Sequence, residues 1–392
     1  MIHKLIVPTA LVALLNFGCL HPSGQVCASE PVLNETHAEK VDKLFAYWSK
    51  DDTPGAAVVV IKDGQIELNR CYGMANLEDN KPIEPDTAFL LASVTKQFTA
   101  MAIMMLADRG KLGYDDPLSK FFPQFPPYAQ KITLRHLLNH TAGFPEYDHL
   151  FIASGQIDRN WPRSAKSEPA SFEPTSKDAL SILAEVQAPH FPAGEQFEYS
   201  NSGYVILAQI VEKVSGQTFA DFLQRHIFQP LGMKRSLLYD ETRPKVPNVA
   251  TSYTYTLKDG GYRDIDYAPQ NAIYGEDNVY TTIEDMVKWD QALYTEKLVK
   301  TATLREAFTP GKLNSGEATI YGFGWFVRPI LGLDAVDHGG SWLGFRTGIV
   351  RFPGERISVV VLANSAQLKA SEFAKNISKI YLADKMTFSG SK

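Results

Sequence analysis

Apolar residues along the chain fall into zones of different periodicity. Residues 38–49 follow helical spacing, and two apolar runs come next, "GAAVVVIKDG" and "QIELNRCYG", on either side of Asp63 and Gly64. Such runs joined by a glycine turn predict a β-hairpin. The segment "SVTKQFTAMAIMMLADRG" is apolar almost throughout and closes on Asp108, Arg109 and Gly110. It predicts a helix with a glycine stop. From about residue 132 to 289 helical spacing dominates, with long connections. Residues 146–177 are polar, contain Pro and Ser and lack periodicity over a length beyond an ordinary connection, so they either line or cover a site or form a surface insertion.

Strand patterns return at the end in "YGFGWFVR", "AVDHGG", "FRTGIVRF" and "RISVVVLAN", the last two joined across Pro353 and Gly354. A closing helix places Phe373, Ile377, Ile380 and Tyr381 on one face. Strands near both ends with helices between them predict an α/β (α+β) fold, in which one antiparallel sheet is built from both chain ends with flanking helices.

Composition narrows the function class. The chain has 392 residues, 44% hydrophobic and 21% charged, enough for a large core or two lobes. Net charge is −5 with no basic run, so nucleic acid is not an expected partner. Lys4 precedes an apolar stretch, 5–20, broken by Pro8 and Asn16. That is too short for a stable membrane span and fits a secretory signal. Cleavage after Ala28 gives a signal peptide over 1–28 and a mature domain over 29–392. The alternative is lipoprotein processing before Cys19, where Gly18 fits but Asn16 and Phe17 do not. The expected location is periplasmic or extracellular, with a lipid anchor under the second scheme. Cleavage after Ala28 would remove Cys19 and Cys27, leaving Cys71 alone, without an intramolecular disulfide and packed rather than reactive.

Three short strings carry the candidate chemistry. Ser93 and Lys96 stand three apart in "ASVTK", on one helix face and near the positive end of the helix dipole. A serine hydroxyl needs a neighbour to take its proton, and an amine within hydrogen-bond reach can do so. Tyr199 and Asn201 stand in "EYSNSGY", between a polar turn and a helical run. A phenol can shuttle a proton between nucleophile and leaving group, and the amide can orient both Lys96 and a substrate carbonyl. His338, Gly339, Gly340 and Ser341 follow one predicted strand and precede another; two glycines admit a close approach, and the Ser341 and Ser93 amides could share an oxyanion. Together the strings read as a serine acyl-transfer site.

Other chemistries lack their residues. A nucleophile elbow would need Gly at 343, where Leu343 stands. No zinc-protease string, His/Asp/Cys cluster or glycine-rich phosphate loop occurs, so no metal and no cofactor are expected. His136 and His140 share a predicted helix face and are read as structural.

These strings, with "ITLRHLLNHTAGFPEY", "PAGEQFEYSNSGYVILAQIVEKVSGQTFADFLQRHIFQPLGM", "VYTTIEDMVKW" and "HGGSWLGFRTGIVRFPGERISVVVLANS", resemble the serine β-lactamase and penicillin-binding-protein superfamily. The likeness is to the class C branch, with its D-aminopeptidases and lactamase-like carboxylesterases. It implies an inserted all-helical lobe, about 111–317, on a sheet lobe of about 38–110 and 318–385, with the site between them. It further implies that Ser93 is the acylated nucleophile, that Lys96 and Tyr199 share the base and acid work, that Asn201 positions Lys96 and substrate, and that Ser93 and Ser341 supply the oxyanion amides. Which of Lys96 and Tyr199 is the principal base stays open, as does the oligomeric state.

One position departs from the best-known members. Where β-lactamases and transpeptidases carry Lys, then Thr or Ser, then Gly, this chain has His338, Gly339, Gly340. A histidine with a pKa near 6.5 is mostly neutral at pH 7, and Gly339 has no hydroxyl. Losing one charge-assisted bond costs about 1.5–3 kcal/mol, so a carboxylate anchor is weakened. Trp342 with Gly344 resembles a signature of the family's esterases. The expected activity is an exported serine hydrolase acting on small-molecule esters, or on amides and peptides with D-residues. Alternatives are a β-lactamase or D-alanyl-D-alanine carboxypeptidase, and a non-catalytic envelope protein that binds peptidoglycan peptides or β-lactams.

Overall fold

A computed structural model describes residues 35–386. The expected signal segment, its cleavage site, Cys19 and Cys27 lie outside the described residues. From the N-terminal side the main elements are α1 (His37–Leu44), β1 (Ala56–Lys62), β2 (Gln65–Tyr72), α2 (Lys96–Asp108), α3 (Leu134–Leu138), α4 (Tyr147–Ala153), α5 (Asn201–Ser215) and α6 (Ile283–Ala292). They are followed by β3 (Phe326–Ile330), β4 (Leu333–Trp342), β5 (Phe345–Phe352), β6 (Ile357–Ala363) and α7 (Ala370–Tyr381).

These six strands form one antiparallel sheet in the order β3-β4-β5-β6-β1-β2, and shorter strands elsewhere among the described residues form three small sheets. The N-terminal hairpin therefore joins the C-terminal strands, with Val58 opposite Val361, as the two zones of strand pattern predict. Successive residues of a strand point to opposite faces. Ala57, Val59 and Ile61 of β1 enter a core shared with α2 and α6, while Ala56, Val58 and Val60 enter a second core shared with Val41, Phe45 and Ile377. Burial on both faces explains why β1 and β6 read as continuous apolar runs rather than as alternation.

α2 is buried nearly all round from Lys96 to Leu106, as a helix apolar on every side must be. It packs against α5, which starts at the Ser200 cap and ends on Gly216 in the left-handed conformation. α6, inside the span 111–317, lies against β1 and β6, with the buried Asp290 carboxylate accepting from Arg351 Nε and Ser358 Oγ, each at 2.6 Å. Cys71 is a free, half-buried thiol whose pKa burial pushes up to about 11.

Three local expectations need correction. The first helix stops at Leu44 and continues as a 3₁₀ turn, Ala46–Ser49. In that tighter winding residues three apart eclipse, which lets Phe45 and Trp48 both turn inward, Phe45 stacking on Tyr72 at 4.4 Å. The aperiodic stretch 146–177 begins with a real helix, α4, too short to show a period but anchored by buried Tyr147 and Phe151 one turn apart. Finally, His338, Gly339, Gly340 and Ser341 do not stand between two strands. They lie within β4, with β3 beside it.

Candidate active site

Ser93 sits in a 3₁₀ turn, Ala92–Thr95, and the regular helix begins only at Lys96. Ala92 has φ +48°, a left-handed conformation that costs a non-glycine residue about 1 kcal/mol or more. The turn is held from both sides. Leu91 N donates to Val279 O at 2.8 Å, Val279 N donates to Thr95 Oγ1 at 3.1 Å, and Thr347 Oγ1 on β5 donates to Leu91 O at 2.7 Å. A Cβ on Gly340 would stand 2.2 Å from Thr347 Oγ1 and 2.3 Å from Leu91 O. Glycine there is what lets β4 lie against the turn that presents Ser93.

Lys96 is fully buried and gathers the polar groups of the site. Its Nζ donates to Ser93 Oγ at 3.1 Å, Asn201 Oδ1 at 2.8 Å and Glu276 O at 3.0 Å. It lies 5.0 Å from the centre of the Tyr199 ring and 5.6 Å from that of Tyr204. Tyr199 lies beside Ser93 and Lys96. Burial raises its pKa, and Lys96 only partly offsets that rise. For Lys96 burial favours the neutral amine, but Tyr199 and Glu276 prevail and hold its pKa above the ordinary value.

The Tyr199–Asn201 segment is fixed through its backbone. Asn201 N donates to both oxygens of Glu146 at 3.0 Å, and Ser200 N donates to His140 Nδ1 at 3.1 Å. His140 is structural, but it lies beyond the helix rather than on its face. α3 ends at Leu138, His140 has φ +58°, and its ring lies 4.3 Å from Tyr199 and 4.4 Å from Tyr321. His136 is structural, capping α3 by accepting from Thr133 N.

His338 is also buried, and both its ring nitrogens are engaged. Nδ1 is 2.7 Å from Gly339 O, an acceptor only, so Nδ1 carries the hydrogen. Nε2 then accepts from the Tyr321 hydroxyl at 2.8 Å. Burial and the nearby Lys96 push its pKa down to about 3, so the ring is neutral. Beside it, a Cβ on Gly339 would meet Ser371 Oγ of α7 at 2.4 Å, so a threonine at 339 needs Ser371 to move.

Ser93, Tyr199, Asn201, His338 and Ser341 line one cavity of about 670 Å³, and Gly339 and Gly340 form part of the same wall. Along it, Arg328 and Lys375 pair with Asp337, and Lys369 pairs with Glu372. Among the described residues Arg346 donates to the carbonyls of Leu343 and Phe345 alone. Trp342 carries the wall onward, donating to Asn271 Oδ1 at 3.1 Å and packing on Trp161 from the 154–175 segment at 5.4 Å. Among the described residues no group of three or more His, Cys, Asp or Glu side chains could hold a metal ion, and no helix is long and apolar enough to cross a membrane.

Glu276, Tyr321, Glu146 and Arg346 were not singled out by the sequence. Glu276 lies 180 residues from Lys96, and no spacing rule connects them. The adjacent acids in "YGEDN", flanked by residues that bury, are the only trace it leaves in the sequence.

The buried charges also set a pH dependence of stability. His338 and His140 are held neutral in the folded chain, His140 by burial and by Lys96 and His338, whereas the unfolded chain takes up their protons near pH 6.5. Their contribution is present above that pH and lost below it, that of His338 as the pH falls toward 3. Glu146 and Asp266 run the other way, because burial raises each to about 7. They add stability as the pH falls from 7 toward their unfolded values near 4. Thermal unfolding followed across pH should give a Tm nearly flat from pH 7 to about 4.5 and falling steeply below. A steady decline starting at pH 6.5 would show that the carboxylates do not offset the histidines.

The profile of the beta-lactamase family matches residues 39–382. Penicillin-binding protein 4* of Bacillus subtilis (strain 168) is 31% identical over 347 residues, covering 86% of this chain and 73% of that protein. A D-aminopeptidase of Cereibacter sphaeroides is 28% identical over 318 residues, covering 79% of this chain but only 57% of the relative's length. An octameric penicillin-binding protein homologue from Pyrococcus abyssi superposes with a TM-score of 0.75 at 29% identity, covering 88% of this chain and 77% of that one.

Proposed function

The chain belongs to the beta-lactamase family of serine hydrolases, and from that premise we propose that it is an exported enzyme forming a covalent acyl-enzyme on Ser93. The observation that carries this reading is the contact of Lys96 Nζ with both Ser93 Oγ and Asn201 Oδ1 at the cavity wall. Ser93 Oγ attacks the acyl carbon, its proton passing to the Lys96–Tyr199 pair, and the carbonyl electrons move onto an oxyanion facing the Ser93 and Ser341 amides. The same proton then goes to the leaving oxygen or nitrogen. Water repeats the sequence to release the acid.

The proposed substrates are esters, or amides and peptides with a D-residue. The D-aminopeptidase likeness supports the latter, and the neutral, fully engaged His338 supports both over substrates that need a cation at that position. His338 serves the site by fixing β4 through Tyr321 rather than by donating to substrate.

One observation favours a second reading, a β-lactam or D-alanyl-D-alanine substrate. Arg346 lines the cavity, half-buried, with no carboxylate partner among the described residues, and could receive a substrate carboxylate. Turnover of a short acyl ester, a D-aminoacyl amide and a cephalosporin by the purified protein separates the two. The ester or D-aminoacyl amide should be fastest; a cephalosporin faster by orders of magnitude selects the second reading.

A further inference from the structure

Lys96 is held by a carboxylate that stands outside the three strings. Gly275, Glu276, Asp277 and Asn278 form a buried loop directly before Val279, the residue that pins the nucleophile turn. The loop is rigidly placed. Gly275 has φ +106°, and a Cβ there would stand 2.5 Å from Tyr204 O, while Asn278 Nδ2 donates to Asn271 O at 2.6 Å and Ile273 O at 2.7 Å. Glu276 accepts from Lys96 Nζ through its carbonyl at 3.0 Å, and its Oε2 stands 3.5 Å away as the ion-pair partner. Its other carboxylate oxygen accepts from Tyr147 OH at 2.7 Å, which aims the group.

The donor count makes this placement matter. Asn201 Oδ1 and Glu276 O can only accept, so they use two N–H groups of Lys96. Toward Ser93 the nitrogen has two options: an ammonium donates its third hydrogen to Oγ, whereas a neutral amine turns a lone pair toward the serine proton. A carboxylate 3.5 Å away in a buried setting opposes loss of the positive charge.

We propose that Glu276 is a positioning residue that holds Lys96 as an ammonium, so that Tyr199 rather than Lys96 takes the proton of Ser93. The proposal rests on the acyl-enzyme reading above. In the step it describes, the Ser93 O–H bond breaks and the proton goes to the Tyr199 oxygen in its phenolate form. The Oγ–carbon bond forms, the carbonyl pair moves to the oxyanion, and Tyr199 returns the proton to the leaving group. Lys96 stays charged throughout.

The groups facing Lys96 agree with this assignment. Tyr199 and Tyr204 present ring faces, and His140 and His338 are neutral. Asp277 and Glu146 are driven by burial toward their protonated forms, helped by repulsion from Glu276. Among the described residues Glu276 is the carboxylate within ion-pair distance. Because burial raises Tyr199 as well, the reactive phenolate is a minor form at neutral pH and grows with alkali.

The test is the pH profile of kcat/KM for an activated aryl ester, with tyrosinate absorbance followed in parallel, in the wild type, Glu276→Gln, Glu276→Asp and Tyr199→Phe. The wild-type rate should climb through the alkaline range together with a tyrosinate signal that Tyr199→Phe removes. Glu276→Gln should move the rising limb to lower pH by about one unit, about tenfold at a fixed pH on the limb. Glu276→Asp should move it back. A uniform rate loss in Glu276→Gln with an unmoved limb would reduce Glu276 to a packing role, and a wild-type limb without tyrosinate signal would return the base to Lys96. The wild-type arm decides even if Glu276→Gln does not fold. Failure of the wild type to label at Ser93 would instead overturn the acyl-enzyme reading.

Discussion

Ser93→Ala is expected to abolish covalent labelling and to lower turnover by about 10⁴-fold or more, leaving only what the oxyanion amides and binding contribute. The reason is local. Ser93 Oγ is the oxygen at the cavity wall that accepts from Lys96, with Tyr199 beside it. The side chain is half-buried and small, and the turn that carries it is pinned by Leu91, Thr95 and Thr347 rather than by the serine hydroxyl. The variant should therefore fold with a Tm close to that of the wild type. Intact-mass measurement after exposure to a fluorophosphonate reads the outcome directly: one adduct on the wild type and none on Ser93→Ala. An adduct that survives the substitution would move the nucleophile elsewhere. A wild type without any adduct would falsify covalent catalysis and leave a protein that binds without turnover.

The sequence exposed the parts of this site that lie on regular elements with local spacing. Ser93 and Lys96 are three apart, Tyr199 and Asn201 two apart, and the apolar runs of β1, β5 and β6 were long enough to identify a sheet built from both chain ends. What it concealed depends on contacts between distant segments. Glu276 reaches Lys96 across 180 positions, and Tyr321 reaches His338 across 17 through a turn with no period of its own. Helical spacing places His140 on the face of α3, but it lies two residues past the end of α3, where the chain turns left-handed and carries the ring into the tyrosine cluster. His338 was read correctly as neutral at pH 7, but its reason is burial rather than its ordinary pKa. A sequence supplies residue types at a site; the charge each one keeps is decided by what tertiary packing places around it.

Lys96 illustrates the difference and carries the second large effect. Lys96→Met and Tyr199→Phe should each lower acylation by about 10²–10⁴-fold, the range expected when a positioned proton-transfer group is removed. Their stabilities should diverge. Tyr199→Phe keeps the ring that packs against His140, Tyr321 and Phe326, so its Tm should stay near the wild-type value. Lys96→Met fills the same buried space but strips Glu276 of its cation, and breaking a buried pair from one side costs about 3–5 kcal/mol. Adding Glu276→Gln to Lys96→Met removes the stranded charge and should restore most of the lost Tm without restoring activity. Thermal unfolding and single-turnover acylation of the two single variants and the double variant check both halves. If the double variant stays as unstable as Lys96→Met, the lysine is a packing element first. If Lys96→Met keeps near-wild-type acylation, Lys96 leaves the mechanism and Tyr199 must work without a neighbouring cation.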